Sequence, residues 1–192
     1  MGFDCNSYEG VLCQQAKGFE EIFPAFLKRI KPERIIEIGT GSGGFTMFLQ
    51  DSLDRFGSFA NIWSYDINIP RDYEKIEDRG VRLCQCDVFK DDQIELMESL
   101  ISSEGTTLLL CDGGNKKGEF NLFSKSLKVG DIIMAHDYVD TKDNFLKNYK
   151  NKIWDWREIG DEDIAEACKE NNLKEYDKKI FDTIVWVCRV RV

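Results

Sequence analysis

The sequence predicts an α/β fold: a doubly wound, mostly parallel sheet of seven strands with helices on both faces. Three observations carry this. Short apolar runs alternate with segments of helical period along most of the chain, which implies parallel strands joined by right-handed crossovers. The first such run breaks into four glycines before a helix, in IIEIGTGSGGF at 35–45. The last two strand-like runs have almost nothing between them. A parallel crossover needs about a dozen residues, so these two are expected to pair as an antiparallel hairpin that ends the sheet.

The elements follow in order. Residues 14–30 place Phe19, Ile22, Phe23, Phe26, Leu27 and Ile30 on one helical face, with Pro24 inside as a source of a kink. IIEI at 35–38, between Pro32 and Gly39, reads as a buried strand. Phe45, Phe48, Leu49, Leu53 and Phe56 then recur at helical spacing over 44–56. Strands are expected at 61–66, 81–86, 106–111 and 131–135, and helices at 71–79, 91–102, 119–128, 142–151 and 161–171. Gly130 is a usual helix stop. The closing runs are KEYDKKIF and TIVWVCRVRV, parted by Asp182. No repeat, low-complexity tract or linker divides the chain. Residues 1–192 are therefore expected to form one domain, with residues 1–31 as a helical N-terminal extension.

Composition narrows the function. At 42% hydrophobic, 12% aromatic and 32% charged, the chain is expected to fold rather than stay disordered. No apolar run approaches the roughly 20 residues that span a bilayer. The N-terminus lacks a basic stretch followed by an apolar one, so no signal peptide is expected. Gly2 is not followed by Ser or Thr at position 6, where Asn6 stands, which argues against myristoylation. Seven cysteines, mostly within strand-like segments, suit small buried hydrophobes in a reducing compartment. CxC at 84–86 has no second pair to complete a zinc site. A cytoplasmic location is expected. The net charge of −9 disfavours a nucleic-acid partner, whose phosphates call for Lys and Arg. The lysine pairs at 116–117 and 178–179 carry no interleaved aromatics. A small-molecule acceptor is the expected partner, with no membrane; a homo-oligomer is left open.

The glycine stretch fits two patterns. Gly39, Gly41 and Gly44 spell GxGxxG, and Asp66 lies 22 residues beyond Gly44, close to the position of a ribose acid in dinucleotide folds. Glu37, Gly39, Gly41 and Gly43 spell acidic-x-Gly-x-Gly-x-Gly. Four further motifs follow at the carboxyl ends of the expected strands: Asp66, CQCDVF at 84–89, CDGGN at 111–115 and HDY at 136–138. Ligands of open α/β sheets bind there.

Taken together, these motifs resemble a class I S-adenosylmethionine-dependent methyltransferase with a Rossmann-like sheet. The resemblance spans roughly residues 12–192 and is strongest to the small-molecule branch that includes cephalosporin hydroxylase-like and catechol O-methyltransferase-like enzymes. It implies S-adenosylmethionine as cofactor and methyl transfer to a hydroxyl of a small molecule or sugar. Gly39, Thr40, Gly41 and Gly43 would let the backbone approach the cofactor, and Glu37 would lie by its methionine part. Asp66 would accept from the ribose hydroxyls. Asp87 and the backbone of Val88 would face the adenine, and Asp112 would sit near the transferred group.

The resemblance points to Asp112, His136 and Asp137 as the catalytic set. One route has Asp112 and Asp137 holding Mg²⁺, which would acidify and position a chelated hydroxyl. The other uses His136, the only histidine, as general base. Metal-dependent relatives usually follow the fifth strand with Asp-Asn or Glu-Asp, where this chain has His136-Asp137. They often carry a basic residue or His shortly after the fourth-strand Asp, and the matching place here is Asn115. The acceptor would be shaped by the N-terminal segment, by 113–119 and by 138–157, where Tyr138, Trp154 and Trp156 could stack on a ring. DNA adenine methylation calls for Asn/Asp-Pro-Pro-Tyr after the fourth strand, and cytosine C5 methylation for Pro-Cys; neither is present. An NAD-dependent oxidoreductase and a non-catalytic cofactor-binding module are the rival readings, since fold alone does not establish function.

Overall fold

The strand-like runs of the sequence assemble into one seven-stranded sheet in the computed structural model, which describes residues 6–192. Gly2 and Cys5 lie outside the described residues. A two-residue turn at Glu9–Gly10, both at positive φ, closes a small hairpin of β1 (Ser7–Tyr8) and β2 (Val11–Leu12). The chain then runs without regular structure to Gly18, whose φ of 102° starts α1 (Phe19–Ile30). The helix therefore begins later than the periodicity at 14 suggests. Pro24 is tolerated inside it, and the apolar face around it is buried.

The alternation continues, with the helix expected at 119–128 set earlier as α5: β3 (Arg34–Ile38), α2 (Gly44–Arg55), β4 (Asn61–Asp66), α3 (Tyr73–Glu77), β5 (Arg82–Gln85), α4 (Asp91–Ser102), β6 (Thr107–Cys111), α5 (Lys116–Phe123) and β7 (Ile132–Ala135). Next come α6 (Lys142–Asn144), a π-helical turn at Phe145–Tyr149, α7 (Asp161–Glu170), β8 (Leu173–Glu175), α8 (Lys178–Phe181) and β9 (Val187–Arg191). The strand order is β5-β4-β3-β6-β7-β9-β8. The first five strands by sequence, β3 to β7, are parallel. β9 runs antiparallel to both neighbours and enters between β7 and β8.

The closing pair thus forms, with a different connection from the one the sequence suggests. Residues 178–181, read as strand, are helical. Asp177 turns the chain in the left-handed region (φ 49°) and α8 and a 3₁₀ turn carry it back. That detour brings the chain back so that β9 pairs with β8 on one side and β7 on the other.

Side chains alternate across each strand. On β3, Ile35 packs toward α1 and α2, and Ile36 and Ile38 pack toward the opposite layer. The first layer is dominated by aromatics. Phe23 meets Phe26, Phe45, Phe181 and Trp186 in edge-to-face contacts at 5.0–6.4 Å between centroids, each worth about 0.5–1.5 kcal/mol beyond burial. Among the described residues all six cysteines are free, and no helix is long and apolar enough to cross a membrane.

Candidate active site at the strand ends

The strand order reverses between β3 and β6, and a crevice opens beyond their carboxyl ends. The two loops there are in close contact. Asp112 N–H donates to the Ile38 carbonyl at 2.8 Å. A Cβ on Gly39 would stand 2.3 Å from the Asp112 carbonyl oxygen, and its φ is 98°, so only glycine fits. Gly43, φ 92°, begins α2 where a Cβ would strike Ile76.

Two cavities meet at Gly39. One, of about 320 Å³, is lined by Gln14, Thr40, Gly41, Asp112, His136 and Trp156 among others. The second, of about 290 Å³, has Asp66, Asp87, Val88 and Asn115 in its wall. The expected residues Gly39, Thr40, Gly41, Asp66, Asp87, Val88, Asp112, His136 and Asp137 thus line these two adjoining cavities. Asp66 accepts from Gly41 N–H at 3.0 Å and from Asn68 N–H at 2.9 Å, bracing the glycine loop. Asp87 accepts from Phe89 N–H at 3.0 Å.

Three expected residues line neither cavity: Gly43 at the start of α2, Glu37 and Tyr138. Alternation along β3 turns Glu37 toward α2 rather than into the crevice, with 1% exposure. It accepts from Thr46 Oγ1 at 2.6 Å and from Ser64 Oγ, and Ser64 in turn contacts Thr40 Oγ1 at 2.6 Å. Burial pushes the Glu37 carboxyl up from 4.5 to about 7, against those two hydroxyl donors. Its position is that of a pin beneath the glycine loop. Tyr138 is 1% exposed and points into the far layer, where its hydroxyl donates to Asp161 at 2.7 Å. Trp154 and Trp156 do line the first cavity and meet edge-on at 5.2 Å.

At the centre Asp112, His136 and Asp137 come together, with one potential ligand atom from each lying within 4.8 Å of the others. His136 Nδ1 is 3.1 Å from Asp112 Oδ1 and 3.7 Å from Asp137 Oδ1. Its ring packs against Trp154 and Trp186, and its buried Nε2 has no partner. Burial disfavours the imidazolium, but the carboxylates of Asp112 and Asp137 outweigh it and raise the His136 pKa above 6.5. Asp137 sits at φ 56°. Burial would raise its pKa, yet His136 and Lys116 hold it below the ordinary 3.8.

Two partners of the cluster were not legible in the sequence. Gln15, 1% exposed, donates from Nε2 to Asp112 Oδ2 at 2.9 Å and accepts from Trp186 Nε1 at 2.9 Å. Lys116 Nζ lies 3.0 Å from Asp137 Oδ2, 3.0 Å from Glu158 Oε2, 3.8 Å from Asp112 Oδ1 and 2.9 Å from the Gly113 carbonyl. Asn115, the position matched to a basic residue, is instead the N-cap of α5 and accepts from Gly118 N–H. The basic residue stands one place later. Burial disfavours the Lys116 ammonium, but Asp112 and Asp137 more than offset this and hold its pKa above the ordinary 10.5. Of the lysine pairs noted above, Lys116 is therefore buried here, and Lys178 is tied to Asp182 and Tyr138.

The donor set does not fit Mg²⁺. That ion asks for near-octahedral oxygen ligands at about 2.0–2.1 Å. Each carboxylate oxygen of the cluster already faces a protein donor: His136 and Gln15 on Asp112, Trp154 and Lys116 on Asp137.

The model of the family described as FtsJ-like methyltransferase matches residues 16–150. The chain belongs to that family. No curated protein sequence matches. Among solved structures, this methyltransferase is similar to one titled "CmcI-N160 apo-structure", at TM-score 0.68 and 14% identity, covering 100% of this chain and 78% of that one. A second, titled "cmcI-D160 Mg-SAM", matches at TM-score 0.65 and 16% identity over 99% and 78%. An S-adenosylhomocysteine-bound methyltransferase, PaMTH1 of Podospora anserina, matches at 0.53 and 16% over 90% and 76%. These likenesses are of fold. The fold and family together make the chain a class I S-adenosylmethionine-dependent methyltransferase.

Proposed function

We propose that this methyltransferase moves a methyl group from S-adenosylmethionine to a hydroxyl of a small molecule or sugar. The observation that carries the reading is the Asp112–His136 pair, which opens into the 320 Å³ cavity where that cavity meets the glycine loop. The second cavity, with Asp66, Asp87 and Val88 in its wall, suits the adenosine part. Asp66 already accepts from a loop N–H, so a ribose would exchange one donor for another.

Bound S-adenosylmethionine would supply an electrophilic methyl; the carbon–sulfur pair returns to sulfur as a new carbon–oxygen bond forms. The chain's own residues do the rest. Asp112 would accept a hydrogen bond from Nδ1–H of the neutral His136 ring, a tautomer that leaves the lone pair on Nε2. That nitrogen is placed to accept the hydroxyl proton once an acceptor opens its buried surroundings. Trp154 and Trp156 offer apolar faces to hold a ring in line with the methyl. The small-molecule branch is favoured by the aromatic wall of Phe45, Trp154 and Trp156 and by the absence, among the described residues lining this cavity, of any lysine or arginine besides Lys116.

The test is acceptor-dependent formation of S-adenosylhomocysteine with a panel of catechols, phenols and sugars, beside calorimetry with S-adenosylmethionine and NADH. Cofactor binding without turnover on any acceptor would favour the non-catalytic module. NADH binding alone would favour the oxidoreductase.

A further inference from the structure

We propose that Lys116 is a built-in cation at the Asp112–His136–Asp137 cluster, so that this site excludes a divalent metal rather than recruiting one. The ammonium is surrounded by four oxygens from three segments: Asp112 and the Gly113 carbonyl after β6, Asp137 after β7 and Glu158 before α7. Three of the four lie at hydrogen-bond lengths of 2.9–3.0 Å, and Asp112 stands at 3.8 Å as an ion-pair partner. The side chain is only 7% exposed, and both of the aspartates it serves are largely buried. Uncompensated, such carboxylates would be costly to bury. With Lys116 in place they are already paired.

The local backbone enforces the placement. Asn115 caps α5, so Lys116 occupies its first position and the helix start faces the strand ends. Glu119, one turn on, accepts from Gly113 N–H at 3.2 Å and Asn115 N–H at 3.1 Å and fixes the loop that carries Asp112. Lys116 has no room to swing away: its stem is buried and its head is shared among four oxygens. The consequence for chemistry rests on the methyl-transfer reading above. A fixed positive charge beside the Asp112–His136 pair would stabilise the oxygen of an acceptor hydroxyl as it loses its proton, the part a metal would otherwise play.

The closing experiment reads metal rather than turnover. Mn²⁺ is titrated into the full chain, and the free aquo ion is followed by electron paramagnetic resonance. Wild type is expected to take up no Mn²⁺ saturably up to about 1 mM, the weak end of dedicated divalent sites. Lys116→Ala is expected to gain a site at least about tenfold tighter, and adding Asp112→Asn is expected to remove it. Lys116→Arg is expected to stay as silent as wild type. Saturable Mn²⁺ uptake by wild type that Asp112→Asn abolishes would overturn the proposal. So would a Lys116→Ala protein that remains silent. If Lys116→Ala does not fold, Lys116→Gln keeps most of the stem without the charge and takes its place. Failure of every acceptor in the turnover assay would sink the methyl-transfer reading and leave the metal result standing.

Discussion

Glu37 turns the placement of one buried carboxyl into a measurable pH dependence. It is 1% exposed, and burial raises its pKa from 4.5 to about 7. The folded state therefore holds a proton that the unfolded chain releases. Stability from this group is present below pH 4.5 and is lost as pH rises to about 7. The full loss is about 3.4 kcal/mol, of which about 2.5 kcal/mol falls between pH 5 and pH 8. Glu37→Gln removes the titration while keeping a carbonyl oxygen for Thr46 and Ser64.

The assay is urea unfolding of wild type and Glu37→Gln at pH 5 and pH 8, followed by tryptophan fluorescence. Subtracting one protein from the other cancels every other titrating group, including Glu119, which burial also raises to about 7. The variant is expected to gain on wild type by about 2.5 kcal/mol between the two pH values. A difference that stays flat with pH would refute the assignment of a neutral Glu37. A variant that falls behind wild type at pH 8 would show that the ionised form is wanted in the fold.

Two further outcomes concern the crevice. With an identified acceptor, kcat/KM is expected to rise with pH along a limb whose midpoint lies above 6.5, because Asp112 and Asp137 outweigh burial and favour the imidazolium; pH-rate profiles of wild type and His136→Gln check this, and the limb should vanish in the variant. Asp112→Ala is expected to lower turnover by about 10²-fold or more while calorimetry finds S-adenosylmethionine affinity nearly unchanged; unaltered turnover would remove Asp112 from the site.

Sheet and helices were legible because their signals are local. The ends of the five parallel strands fall within a residue or two of the apolar runs, whereas the last two strands are shorter than the runs that predicted them. Misread segments are those where a single backbone angle decides. The turn at Asp177 makes 178–181 helical, and Gly18 delays α1. The candidate site was legible only where its residues follow strands. Lys116 was visible as a lysine pair, but its burial depends on Asn115 capping α5, a one-residue matter that spacing arguments missed. Glu37 carries a motif signature, yet strand alternation sends it behind the loop. Gln15 had no signal at all. Its partners lie 97 and 171 residues away, and nothing near it in sequence marks it as buried.

That long reach makes Gln15 the place where the N-terminal segment and the residue leading into β9 act on the chemistry together. Trp186 N–H holds the Gln15 carbonyl, and the Gln15 amide holds Asp112. Each group in the relay has one orientation that satisfies its neighbour, so the indole fixes which way the amide faces. Trp186→Phe keeps an aromatic ring among Phe23, Phe45 and His136 but removes the donor. The buried Gln15 carbonyl would then lack a partner, at a cost of about 1–3 kcal/mol. Urea unfolding should read that loss. The amide would also be free to flip and present its oxygen to Asp112, where two acceptors face each other. Turnover should therefore fall with cofactor affinity retained, while Gln15→Glu, which forces the repulsion outright, should fall further. Equal stability and turnover in Trp186→Phe would mean that Asp112 is positioned by His136 and Lys116 alone.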